Sequence, residues 1–373
     1  MTLTDIETPA ALIDEGRMEA NIARLQQRMI DLGVRLRPHV KTSKCIEVAR
    51  RQQEAGARGI TVSTLKEAEQ FFAAGFADIL YAVCISPDKL DRALALRRRG
   101  CALTLLVDSV TAAQALVDKG YPFEVMIEID SDGHRSGVQP EDAVLIDIGK
   151  VLHEGGAKLK GVLTHAGSSY DLNTPEALQE LAERERRLSV RAAERLRAAG
   201  LPCPEVSVGS TPTALSAQSL EGVTEVRAGV YVFFDLVMAN IGVCAPENVA
   251  LSVLTTVIGH QPEKGWVIVD AGWMAMSRDR GTQRQKIDYG YGVVCDAEGW
   301  AIEGLFITAA NQEHGIISRN DGKADPRLVE RFPIGAKLRV LPNHACATGA
   351  QYPEYHLVTA KGATFVWPRF HGW

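Results

Sequence analysis

Between residues 34 and 227, short β-rich runs alternate eight times with amphipathic helical stretches, and this rhythm constrains the fold more than any single motif. The runs cover residues 34–37, 59–63, 78–83, 103–107, 123–130, 159–165, 205–209 and 225–227. Between them apolar residues recur at helical spacing, as over 65–74, 93–99, 110–119, 141–153 and 175–199. Gly56, Gly75, Gly100, Gly120 and Gly200 stand where helices should stop. Strands joined by helical crossovers run parallel, so eight such units predict a (β/α)8 barrel. A doubly wound open sheet is the alternative. The barrel is preferred because no G-x-G-x-x-G follows the first strand. Polar residues also end nearly every run: His39 and Lys41, Ser63, Cys84, Asp108, Asp130 and His165. In such a barrel these ends form the catalytic face.

After about residue 245 the rhythm gives way to strand-like runs without helices, at 251–259, 266–270, 287–294, 301–308, 337–341 and 355–358. They predict a second, mainly β domain. Residues 17–33 read as a helix with Met18, Ile22, Leu25 and Met29 on one face. The apolar run 10–14 precedes the barrel and is expected to join the β domain. The expected division is a barrel over 16–245 and a β domain made of 1–15 and 246–373.

The formal net charge is −5 and no long basic run occurs, which gives no reason to expect nucleic acid. No stretch of about 18 apolar residues is present to span a membrane, and the N-terminus lacks the pattern of a secretory signal. Seven scattered cysteines in a chain of this size read as reduced thiols, hence a cytoplasmic protein.

Lys41 is the leading candidate for chemistry. Pro38 ends strand pairing, because it has no N–H to donate, and Lys41 follows at the strand mouth with Arg37, His39 and Lys44 close in sequence. Like charge and desolvation there disfavour an ammonium and favour an amine that forms Schiff bases with aldehydes; a solvated basic loop is the alternative. Gly209-Ser210-Thr211 ends the seventh run and Gly229-Val230-Tyr231 follows the eighth, where barrels often bind phosphate; a plain turn with a helix cap is the alternative. Arg135, in the loop after the fifth run, is either a fixed cation of the site or a surface partner of Asp130 or Asp132. His165 can stack on a flat ring, and Tyr170 in the same loop offers a hydroxyl. In Pro342-Asn343-His344-Ala345-Cys346 the i and i+2 side chains share one side of an extended segment. An imidazole and a thiolate there suit a divalent metal, with Glu313-His314 as a candidate supporting pair. A structural zinc module is the alternative, although such modules prefer four protein ligands.

Taken together, Arg37-Pro38-His39-Val40-Lys41-Thr42, Thr164-His165-Ala166-Gly167, Gly209-Ser210-Thr211, Arg227-Ala228-Gly229-Val230-Tyr231 and Pro342-Asn343-His344-Ala345-Cys346 resemble, in order and across the whole chain, the metal-dependent fold-type III pyridoxal-phosphate enzymes. These are the eukaryotic-type D-serine dehydratases, D-threonine aldolases and 3-hydroxyaspartate dehydratases. Residues 60–72 and 277–281 are most similar to the 3-hydroxyaspartate branch. The resemblance implies an alanine-racemase-like barrel with a β domain, paired as a homodimer. It implies pyridoxal 5'-phosphate on Lys41, with Lys41 also the Cα base, and a divalent metal (Zn, Mn or Co) on His344 and Cys346. The implied substrate is a 3-hydroxy-D-amino acid that loses water. Related aldolases carry aspartate where this chain has Cys346, which favours the dehydratase branch. D-serine dehydratase and D-threonine-type aldolase are the neighbouring alternatives. A racemase and a non-catalytic cofactor-handling protein are more distant ones. Arg278, Arg280 and His39 are candidate partners for a substrate carboxylate.

Overall fold

The computed structural model describes residues 2–373. The chain divides into two compact units, one made of residues up to 22 together with 230–371, the other of 23–229 with 372–373. In chain order the first elements are β1 (Ala10–Asp14), α1 (Glu15–Asp31), β2 (Arg35–Pro38), α2 (Ile46–Glu54), β3 (Ile60–Val62), α3 (Leu65–Ala73), β4 (Asp78–Cys84), α4 (Leu90–Arg98) and β5 (Ala102–Val107). They continue with α5 (Val110–Val117), β6 (Glu124–Ile129), α6 (Ala143–Glu154), β7 (Lys158–Thr164), α7 (Pro175–Ala198), β8 (Glu205–Val208), α8 (Thr211–Ser216) and β9 (Glu225–Ala228).

Strands β2 to β9 form the expected eight-stranded parallel sheet, in the order β2-β9-β8-β7-β6-β5-β4-β3. β2 pairs with β9 along its length, from Arg35 opposite Glu225 to Pro38 opposite Ala228. The ring is nearly closed by a single parallel bridge between His39 and Thr61, backed by a 2.9 Å bond from the Val40 N–H to the Thr61 carbonyl. Pro38 therefore ends β2 at the point where the barrel closes. Leu80, Leu106, Met126 and Leu163, one from each of β4 to β7, pack as a buried cluster with Ala82 and Cys84 against it.

Arg37 does not add charge to the neighbourhood of Lys41. Its guanidinium is 8% exposed and is held by Glu225 at 2.7 Å and Asp78 at 2.9 Å. Burial disfavours the cation, but the two carboxylates override it and raise the pKa above the ordinary value. Lys44 is 16% exposed at its side chain and pairs with Glu67 at 3.2 Å, so this stretch is not a solvated basic loop. Its ammonium also lies 6.0 Å from the Trp373 ring. Glu67 could not be seen as that partner, because it sits in an ordinary-looking helical run.

The other unit carries β10 (Leu251–Gln261), β11 (Trp266–Val269), β12 (Val293–Cys295), β13 (Ala301–Ala310), β14 (Gly315–Arg319), β15 (Lys337–Leu341), β16 (Glu354–Val358) and β17 (Thr364–Pro368). With β1 they form a nine-stranded sheet in the order β11-β14-β13-β12-β15-β10-β1-β16-β17. An additional β10–β11 pairing closes six of them into an antiparallel barrel. β1 lies inside this sheet, antiparallel to β10 and parallel to β16. The expected strand at 287–294 is reduced to Val293–Cys295. The preceding stretch turns at Gly290 and Gly292, both in the left-handed half of backbone space, and is pinned by an Arg280–Asp288 ion pair. β14 and β17 carried no clear signal: each is five residues long and partly exposed.

Candidate active site

The C-terminal ends of the barrel strands surround a cavity of about 200 Å³. His39, Lys41, Ser63, Glu128, Arg135, His165 and Arg227 line it above Leu163, Ala82 and Cys84. Lys41 sits in a tight turn whose ends are tied by a 2.8 Å bond from the Lys44 N–H to the Val40 carbonyl. Positive charge gathers around both histidines. Burial holds the His39 pKa well below the ordinary value, and Lys41 and Arg227 add to it. Burial, then Arg135 and Lys41, bring His165 down to about 3. Both rings are therefore neutral at physiological pH. The Nδ1 of His165 stands 2.9 Å from the Gly209 carbonyl. A carbonyl only accepts, so Nδ1 carries the proton and Nε2 keeps a free lone pair. Tyr170 lies beside His165, with ring centroids 6.5 Å apart.

Arg135 lies in the loop between β6 and α6, and the loop's own aspartates are engaged elsewhere. Asp130 accepts from the Gly133 N–H and from Gln139, and Asp132 accepts from the Ser168 backbone and hydroxyl. On the far side of Arg135, the Ser136 hydroxyl donates to Glu128 at 3.0 Å and the Gly137 N–H to Asp108 at 3.4 Å. Both shoulders of the loop are thus anchored, and Arg135 between them lines the cavity. Cys84, Asp108 and Glu128 place three ligand-type atoms within 4.8 Å of one another. The Cys84 thiol, however, donates to Glu128 at 3.1 Å, and burial followed by Glu128 raises its pKa strongly, so it is a protonated donor rather than a thiolate.

Gly209, Ser210 and Thr211 form the turn from β8 into α8. The Ser210 hydroxyl caps that helix by accepting the Thr213 N–H. Gly209 has φ +133°, and a Cβ there would collide with the Arg227 carbonyl, so a side chain is excluded. Gly229 directly follows β9, with the His39 carbonyl 3.0 Å from where a Cβ would stand. Val230 and Tyr231 continue into a buried turn. The cavity, the lysine and these close-approach glycines suit a flat phosphorylated aldehyde. Arg227 and Glu128 also line the site, although sequence reasoning assigned them no role. Their signal was position, an inward-facing charge near a strand end.

The His344–Cys346 motif follows β15 and is held rigidly. Asp235 accepts the Ala345 N–H at 2.9 Å. The Asn343 amide donates to the Gly290 carbonyl at 2.7 Å, and the Thr348 hydroxyl donates to the Met276 carbonyl at 2.7 Å. Nδ1 of His344 lies 2.6 Å from Asp279, which leaves Nε2 for a ligand. Burial lowers the His344 pKa, but the bonds to Asp279 and Cys346 override it and push it up to about 11. The His344 imidazole and the Cys346 thiol are in contact here, a donor pair suited to a borderline divalent cation. Asp279, the carboxylate that orients the ring, was not assigned in the sequence. Glu313 and His314, which were considered for that role, are exposed near the start of β14.

Residues 13–237 match the alanine racemase N-terminal domain, and residues 250–358 match the putative serine dehydratase domain. The chain is 68% identical to the D-threo-3-hydroxyaspartate dehydratase of Delftia sp. (strain HT23), covering 100% of this chain and 99% of that protein. Among solved structures, a histidine-to-alanine mutant of D-threo-3-hydroxyaspartate dehydratase superposes with a TM-score of 0.99 at 67% identity, covering 100% of this chain and 97% of the other. A cysteine-to-alanine mutant of that enzyme, in the metal-free form, gives a TM-score of 0.99 at 67% identity, covering 100% of both chains. The histidine and the cysteine replaced in those two structures stand two positions apart. This chain therefore belongs to the alanine-racemase-like, fold-type III pyridoxal-phosphate enzymes that join an alanine racemase N-terminal domain to a putative serine dehydratase domain.

Proposed function

We propose that this enzyme is a pyridoxal-phosphate- and metal-dependent dehydratase that converts D-threo-3-hydroxyaspartate into oxaloacetate and ammonia. The observation that carries the reading is the Lys41 cavity, with Arg135, His165 and Arg227 on its wall, in a chain 68% identical to a dehydratase of that substrate. Lys41 would hold the cofactor and, once released from it by substrate, its amine would take the Cα proton. Arg135 and His165 would hold the cofactor ring, His165 as a neutral imidazole whose tautomer Gly209 fixes. Tyr170 would border the ring. The turns at Gly209-Ser210-Thr211 and Gly229-Val230-Tyr231 would receive the phosphate. When bound, pyridoxal phosphate supplies an electron sink that makes the Cα proton acidic.

His344 and Cys346 would bind the cation, with Asp279 fixing the imidazole. The two-residue spacing matches that of the histidine and cysteine replaced in the solved relatives. When bound, the cation would supply Lewis acidity toward a substrate hydroxyl. Elimination of water, followed by hydrolysis of the enamine, gives the 2-oxo acid and ammonia. Zn, Mn and Co all suit the donors. We further read the protein as a cytoplasmic homodimer. All seven cysteines are free, and no helix of the described residues is long and apolar enough to cross a membrane.

The deciding experiment incubates the metal- and cofactor-loaded enzyme with D-threo-3-hydroxyaspartate, D-serine and D-threonine, scoring oxaloacetate, pyruvate and glycine separately. Oxaloacetate should dominate. Pyruvate as the main product would make the enzyme a D-serine dehydratase, and glycine would make it an aldolase.

A further inference from the structure

α7 buries one stripe of side chains: Leu178, Leu181, Ala182, Glu185, Ser189, Ala192, Ala193 and Leu196. A carboxylate in the middle of such a stripe is costly unless it is hydrogen-bonded. Glu185 is 2% exposed, and its donors come from two catalytic-face loops. One carboxylate oxygen accepts the Gly209 N–H at 2.9 Å and the Ala166 N–H at 3.2 Å. The nearby Thr213 hydroxyl also favours the carboxylate. Ala166 directly follows His165, and Gly209 directly precedes Ser210.

Further bonds tie the same turn together. The Thr213 Oγ1 accepts the Ser210 N–H at 3.1 Å and lies 3.0 Å from the Ser210 hydroxyl. The Ser210 hydroxyl lies 2.9 Å from the Ser169 hydroxyl, which donates to the Ala166 carbonyl at 2.7 Å. The Gly209 peptide is gripped on both sides, its N–H by Glu185 and its carbonyl by His165.

We propose that Glu185 is a positioning residue of the cofactor site: through the Ala166 and Gly209 peptides and the Thr213 hydroxyl it sets where the Ser210–Thr211 turn and the His165 ring stand, without touching cofactor or substrate. The inference rests on the reading of this barrel as a pyridoxal-phosphate site and adds to it a residue that lies behind the site. Burial raises the Glu185 pKa, and the Thr213 and Gly209 donors oppose that rise. The anion therefore depends on the loops, just as the loops depend on it.

The test compares Glu185→Gln, Thr213→Val and Thr213→Ser with the parent holoenzyme. Glu185→Gln keeps the shape but removes the charge and replaces one acceptor oxygen with an NH2. Thr213→Val removes the link, and Thr213→Ser preserves it. The readouts are the dissociation constant of pyridoxal phosphate, the absorption maximum of the bound cofactor and the melting temperature of the cofactor-free protein. Glu185→Gln and Thr213→Val should each weaken cofactor binding by about tenfold or more, as loss of a buried charge-assisted bond does, and should shift the absorption maximum. Thr213→Ser should retain parent affinity. A role confined to stability would lower the melting temperature and leave affinity and spectrum unchanged, which would overturn the proposal. So would Thr213→Val matching Thr213→Ser, and that comparison stands even if Glu185→Gln does not fold. Failure of the underlying cofactor reading is distinguishable, because the parent protein itself would then bind no pyridoxal phosphate.

Discussion

Replacing Asp279 gives a graded test of the metal assignment. The Asp279 carboxylate and the His344 Nδ1 are 2.6 Å apart, with side chains 44% and 39% exposed. A hydrogen bond to a charged partner contributes about 1.5–3 kcal/mol, and exposure of this size places the pair at the low end of that range. Loss of about 1.5 kcal/mol corresponds to about tenfold in affinity, the lower edge of the ~10–100-fold expected when the outer partner of a metal-bound histidine is removed. Asp279→Asn keeps a carbonyl that can accept the Nδ1 proton and loses only the charge, so its divalent-metal affinity should fall by about threefold to tenfold. Asp279→Ala loses both and should fall by about tenfold or slightly more. Titration of metal-stripped protein with Mn²⁺ or Co²⁺ measures this without turnover, and Co²⁺ adds a thiolate charge-transfer band that reports Cys346. Because Asp279 is exposed, both variants should melt within a few degrees of the parent. The reasoning fails if both variants bind metal as the parent does, or if Cys346→Ala leaves the cobalt band in place.

Four further outcomes follow from the geometry. Lys41→Ala should abolish the absorption band of the lysine-bound cofactor in the reconstituted protein, and a persistent band would remove Lys41 from its role. Arg280 is held by Asp288 and His39 is neutral, whereas Arg278 rests on the Trp273 ring at 4.9 Å; Arg278→Gln should therefore raise KM for D-threo-3-hydroxyaspartate several-fold and leave KM for D-serine unchanged, and an equal effect on both substrates would reject it as the side-chain partner. Arg37→Met should destabilise the fold by about 3–5 kcal/mol, because it strands a buried Glu225; a urea-denaturation loss under about 1 kcal/mol would contradict this. Below about pH 6.5 the unfolded chain takes up a proton that His165, with its folded pKa near 3, refuses, so stability falls as pH falls through that window. His165→Gln should reduce the dependence of the urea midpoint on pH there, leaving the share due to His39, His356 and the other shifted groups, and an unchanged slope would show that the ring is not buried neutral.

The barrel was readable because most of its strands are short β-rich runs bounded by turn residues and separated by helices with their own stops. Lys41 was readable because Pro38 marks the strand end just before it. Glu185 was not, since Glu183-Arg184-Glu185-Arg186-Arg187 looks like a solvated charged face, and only the three-dimensional stripe of α7 shows which of the five is buried. Asp279 was hidden in the same way, between Arg278 and Arg280. The ion pair between Lys44 and Glu67 joins a loop to a helix 23 residues later, a pairing that periodicity does not encode. β17 escaped notice because its apolar run, Phe365-Val366-Trp367, is only three residues long and stops at Pro368.

The place of β1 has a consequence for biosynthesis. It leaves the ribosome ahead of β2 to β17, yet its two neighbours are β10 and β16. The (β/α)8 unit has all its strands once Ala228 has emerged. Until residue 358 appears, β1 has at most one edge covered, and before residue 251 it has none. The nascent chain thus carries an unpaired apolar segment, Ala10-Ala11-Leu12-Ile13, through most of translation, the kind of exposed strand edge that invites wrong partners. Shortening the C-terminus before β16 should accordingly produce aggregation through the N-terminal strand, at the opposite end of the chain from the deletion.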